Sequence, residues 1–86
     1  MKYRVEWSRD AEADLANVWT DASDRGLISE AARWLDRALA DNPHALGESR
    51  SGDNRIAFSS PLGMEYKISD EDRTVFVIAV WKFRTR

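Results

Sequence analysis

Met64-Glu65-Tyr66-Lys67-Ile68-Ser69, then Asp70-Glu71-Asp72-Arg73, then Val75-Phe76-Val77-Ile78-Ala79-Val80-Trp81: these three stretches, in this order, decide the fold. The first alternates strictly. Met64, Tyr66 and Ile68 face a core, and Glu65, Lys67 and Ser69 face water. The third is an unbroken run of β-branched and aromatic residues. It predicts a strand buried on both faces near the middle of a sheet. The polar tetrapeptide between them is a hairpin loop. Just upstream, Arg55-Ile56-Ala57-Phe58-Ser59 predicts a further strand, with Ile56 and Phe58 inward and Arg55 outward. Pro61-Leu62-Gly63 makes the turn after it, because proline fixes φ and glycine permits a positive one.

The first half supplies what covers this sheet. Tyr3, Val5 and Trp7 alternate with Lys2, Arg4 and Glu6, the pattern of a strand with one buried face. Ser8 is placed to cap a helix in which Ala11, Leu15, Val18, Trp19 and Ala22 form one apolar stripe. A second helix starts between Asp24 and Ser29. It buries Ile28, Ala31, Ala32, Leu35, Ala38 and Leu39, with Trp34 at the edge, and stops at Asn42-Pro43. Residues 43–54 are the least regular part and hold room for a short edge strand. The predicted class is therefore α+β. The order is β-α-α-β-β-β(-β), the first of the later strands being that short edge piece. A two-helix hairpin packs on one face of a mostly antiparallel sheet, and the other face is open.

Eighty-six residues make one domain, 1–86, with a thin core and four tryptophans to help fill it. There is no cysteine, so disulfides, thiolate metal sites and cysteine nucleophiles are excluded. No apolar run is long enough to span a bilayer, and the start has no signal-peptide pattern, so a cytoplasmic protein is expected. The net charge of −2 argues against a simple electrostatic nucleic-acid binder. The charge is uneven, however. Residues 1–48 hold six Lys/Arg and ten Asp/Glu, a net of −4; residues 49–86 hold seven and five, a net of +2.

No phosphate loop, zinc motif or nucleophile elbow is present, and neither a metal nor a cofactor is implied. His44 reads as a surface loop residue without a partner. The remaining chemistry lies in cations. Arg55, Lys82 and Arg84 are the catalytic candidates, with Arg50, Lys67 and Arg86 as RNA- or partner-binding candidates. Gathered at one end of the open face, they could hold a phosphodiester and stabilise charge developing on it. Cleavage at a ribose 2′-OH needs no metal, because the substrate carries the nucleophile. Read as exposed, Arg55 and Arg84 could be neutralised without loss of folding. Tyr66 and the tryptophans read as core.

The order and spacing of these pieces resemble the RelE/ParE superfamily of toxins from bacterial type II toxin–antitoxin modules. The resemblance rests on Tyr3-Arg4-Val5-Glu6-Trp7-Ser8 entering a helix, on Asn42-Pro43 closing the second helix, and on Arg55-Ile56-Ala57-Phe58 before a turn. It ends with Met64-Glu65-Tyr66-Lys67-Ile68 and Val75-Phe76-Val77-Ile78-Ala79-Val80. It implies the same fold, a cytoplasmic toxin and a cognate antitoxin partner, with a homodimer left open. It also implies one of two targets: mRNA on the ribosome, cleaved by basic residues, or DNA gyrase, inhibited by contact. Arg55, Lys82 and Arg84 are the positions it carries over. Ala57, Gly63 and Met64 stand where RNA-cleaving members have further cations, and no tyrosine follows Arg86. The alternative is a non-toxic interaction module that kept the fold.

Overall fold

The computed structural model describes residues 2–49 and 52–83. β1 (Arg4–Trp7) opens the chain, and Ser8 then caps α1 (Arg9–Asp21), its Oγ accepting from the Ala11 N–H at 3.0 Å. Asp24 caps α2 (Arg25–Asp41) in the same way, accepting from the Leu27 N–H at 3.1 Å. Asn42-Pro43 ends α2, but Pro43 also starts a single further turn, α3 (Pro43–Leu46), where irregular chain was expected. The short edge strand is β2 (Glu48–Ser49). β3 (Asn54–Ser59), β4 (Leu62–Ser69) and β5 (Thr74–Lys82) complete the sheet.

The five strands lie in the order β1-β5-β4-β3-β2. β1 runs parallel to β5, and every other pair is antiparallel. The central strand is thus β4 rather than the apolar run. α1 packs over β5, and α2 crosses toward β3 and β1, both on one face. Between helices and sheet sit Ile28, Leu35 and Leu39 from α2, Met64 and Tyr66 from β4, and Val75 and Val77 from β5, all essentially inaccessible.

A bulge sets the facing of β5. Glu65 pairs with Ala79 and Tyr66 with Val77, so Ile78 is an extra residue. It lets Val80 rejoin Val75 and Val77 under the helices. β1 reaches only as far as Val77. Beyond it the free edge of β5 is met by side chains: Ser8 Oγ donates to the Ile78 carbonyl at 3.2 Å, and Asp14 Oδ2 accepts from the Val80 N–H at 3.2 Å. This blunts an edge that would otherwise invite another strand.

Two expectations are corrected here. The apolar run is buried on one face only: Phe76 is 39% exposed because no second layer covers the open face. β3 faces the other way from its expected alternation. Ala57 is the inward residue, at 1% exposure, while Phe58 is 52% exposed. A small residue fits beneath α2, and the larger ring lies on the open face beside other aromatics.

Candidate functional site

Arg55, on the same face of β3 as Ala57, points to the helix side. Its Nη2 donates to the carbonyls of His44 at 2.7 Å and Gly47 at 2.6 Å, and its Nη1 donates to Ser49 Oγ at 3.1 Å. The guanidinium therefore closes the C-terminal end of α3, whose carbonyls have no helical partner. Tyr66 supports the same turn from below, its buried hydroxyl donating to the Pro43 carbonyl at 2.8 Å. Glycine is required at 47, since a β-carbon there would stand 2.5 Å from the Ile56 carbonyl oxygen. The expected outward placement of Arg55 is thus corrected, and the reason is this set of acceptors.

On the outer side of α3 lies a polar cluster that sequence reading missed. His44 Nε2 lies 2.8 Å from Asp70 Oδ1, and the Tyr3 hydroxyl donates to the same oxygen at 2.6 Å. The Tyr3 and His44 rings meet edge to face, and the Arg73 guanidinium lies 5.3 Å from the Tyr3 ring centre. The Tyr3 and His44 hydrogen bonds hold the Asp70 carboxyl below its ordinary pKa. The bond to Asp70, with a smaller contribution from burial, raises that of Tyr3. The cluster joins the start of β1, α3 and the β4–β5 loop. Nothing in local sequence brings residues 3, 44 and 70 together; the parallel pairing of β1 with β5 does.

The open face carries an aromatic patch. Gly63 pairs with Phe58 on one side and Trp81 on the other, and the Trp81 ring lies over the glycine. Phe58 meets Trp81 and Phe83 edge to face, at 6.3 and 5.5 Å between ring centres. A groove of about 560 Å³ also opens between α1 and α2, floored by Leu15, Ile28 and Ala32 and bordered by Trp19, which is 42% exposed. The expectation that the tryptophans are core therefore fails for Trp19 and for Trp34, which is 52% exposed.

The described candidate cations do not converge. Arg55 pairs with Tyr66, and Lys82 with Leu62, four positions away along β4. Four positions of strand span about 13 Å. Lys82 is exposed beside a hollow it shares with Asp24 and Leu27, and Lys67 projects from the middle of the open face. Arg50, Arg84 and Arg86 lie outside the described residues.

No protein-family model and no curated protein matches this chain. Solved structures do. The RelBE2 toxin–antitoxin complex of Mycobacterium tuberculosis contains a chain 21% identical, with a TM-score of 0.79, covering 98% of this chain and 100% of that one. This chain has the RelE/ParE toxin fold. A chain of the chromosomal ParDE system of P. aeruginosa matches at 13% identity and a TM-score of 0.72, over 95% of this chain and 97% of that one. The isolated RelE toxin of E. coli matches at 20% identity and 0.64, over 98% and 87%. The RelE/ParE fold accounts for the mixed sheet, the helical hairpin on one face and the open face opposite. Among the described residues no helix is long and apolar enough to cross a membrane.

Proposed function

We propose that this protein is a cytoplasmic toxin of a type II toxin–antitoxin module, held inactive by a cognate antitoxin and acting on a protein target such as DNA gyrase. The full-length likeness to the chain from the M. tuberculosis RelBE2 complex carries the reading. Placement of the cations supports contact over cleavage. Arg55 is engaged by carbonyls of its own chain, and Lys82 lies far from it along the sheet. The exposed aromatic patch and the groove between the helices are surfaces suited to protein contacts.

The test is inducible expression in a bacterium, following growth and transcript integrity for the wild type and a Lys82→Ala/Arg84→Ala variant. Arg55 is left intact because its removal perturbs the fold. Arrest by both chains with intact transcripts is expected. Arrest that the double variant relieves, with cut transcripts in the wild type, would overturn the protein-target version in favour of mRNA cleavage. Folded protein that arrests nothing would replace the toxin reading with that of a non-toxic interaction module.

A further inference from the structure

The two ends of the open face differ. Tyr66 points under the helices, so Glu65 and Lys67 both stand on the open side of β4. The Asn54 side-chain amide donates to Glu65 at 2.7 Å. Lys67 is exposed and has no carboxylate partner among the described residues. On β5, Phe76 lies beside Lys67, and Trp81 lies beside Gly63. The two levels are about 13 Å apart along the strand. One end of the face thus carries a bare cation beside a single ring. The other carries the cluster of Phe58, Trp81 and Phe83.

Charge and spacing choose the occupant. By strand pairing, Arg4 and Lys67 share this face with Glu6, Glu48 and Glu65, so its described residues hold no surplus of positive charge for a polyanion. The exposed rings of Phe58 and Phe76 need apolar cover. The ends of the face complement each other rather than themselves. An ammonium is attracted to the face of an indole, yet within one chain Lys67 and Trp81 stand too far apart to meet. A second copy turned end for end brings them together twice.

We propose that two copies of this chain stack open face to open face, about a two-fold axis that runs across the strands at the level of Glu65. Such an axis reverses β4 of one copy over β4 of the other. Lys67 of each copy then reaches the Trp81 indole of the other, and the two lysines flank the two Glu65 carboxylates at the centre. Phe76 of each copy covers the aromatic end of the other. Sheets so stacked lie about 10 Å apart and cross at about 30°. Five strands about 4.8 Å apart and about 20 Å long put on the order of 1,000 Å² out of water over both copies, the size of a specific but modest interface. The contact uses the same surface on both copies, so it closes at two. The dimer hides the aromatic patch, so self-association and contact with a protein target exclude each other. That consequence rests on the function proposed above; the dimer does not, and its test reads no toxicity, so either can fail alone.

The experiment is sedimentation equilibrium of the full chain. From about 5 to about 500 µM it is expected to follow a monomer–dimer equilibrium with a Kd on the order of 10–100 µM. Lys67→Glu leaves only carboxylates at the centre and is expected to weaken the dimer about tenfold or more. Glu65→Lys/Lys67→Glu restores opposite signs across the axis and is expected to recover most of that loss, a rescue that damage to the fold would not produce. In NMR spectra of the labelled chain, dilution is expected to move the Trp81 indole and to leave that of Trp19 in place. A chain that stays monomeric over the whole range would overturn the proposal. So would a dimer indifferent to Lys67→Glu, a double variant no tighter than the single one, or dilution shifts at Trp19 instead of Trp81.

Discussion

Arg55 holds the Gly47 carbonyl: its Nη2 donates to that oxygen at 2.6 Å, and the same nitrogen reaches His44 O at 2.7 Å. A residue that looked like an exposed cation is therefore a clamp on the turn after α2. Arg55→Ala leaves these carbonyls without their charged donor and is expected to cost about 2 kcal/mol. Arg55→Lys restores less than half, because a single ammonium cannot reproduce the planar fork. Urea midpoints of the three chains check this, and a midpoint unchanged in Arg55→Ala would refute it.

The Tyr3–Asp70–His44 cluster makes stability depend on pH. The pKa of Asp70 is lowered in the fold, first by the Tyr3 hydrogen bond and then by that of His44. Its contribution is fully present above the ordinary carboxylate range and is lost as pH falls through the folded value. Tyr3 is raised, chiefly by the bond to Asp70, so its contribution holds below the ordinary phenol value of 10.0 and is lost as pH rises through the folded one. Asp70→Asn should therefore lower the melting temperature at pH 7 and converge with the wild type in strong acid. Thermal melts from pH 2 to pH 8 test it; parallel curves would remove the carboxylate from the account.

Gly63 leaves room for Trp81. A β-carbon at 63 would stand 2.5 Å from Trp81 Cε2 and Nε1, so Gly63→Ala must displace the indole. The expected cost is about 1–3 kcal/mol, the usual range for overpacking. The Phe58–Trp81 edge-to-face contact should be disturbed with it. Denaturant unfolding gives the first, and aromatic NMR shifts of Phe58 and Phe83 give the second.

Asp14 stands in for a neighbouring strand. Its Oδ2 accepts from the Val80 N–H, beyond the point where β1 ends. Asp14→Ala is expected to cost about 1–2 kcal/mol. Amide exchange at Val80 should quicken by more than at Val77, which lies beside Trp7 of β1. Equal acceleration at both sites would mean general loosening rather than a lost edge cap.

Element types were legible because each depends on local pattern. The alternation of Met64, Tyr66 and Ile68 named an inward face, and Met64 and Tyr66 are fully buried there. Ser8 marked the start of α1, and of the two residues that bounded the start of α2, Asp24 and Ser29, it is Asp24 that caps; both Ser8 and Asp24 accept from their first turns. The period of β3 misled, because a half-covered sheet gives an apolar residue two places to go. Ala57 took the space under α2, and Phe58 joined Trp81 and Phe83 on the open face.

The sequence by itself determined the two long helices and the strands, though not the single turn of α3, together with the helical hairpin on one sheet face and the likeness to the RelE/ParE fold. All of these follow from periodicity and capping along short stretches. Only the tertiary structure decided what the polar side chains do. Arg55 meets carbonyls eight and eleven residues away, His44 meets Asp70 across 26, and Asp14 meets Val80 across 66. A side chain's partner is set by which elements the sheet order makes neighbours, and no local pattern carries that information.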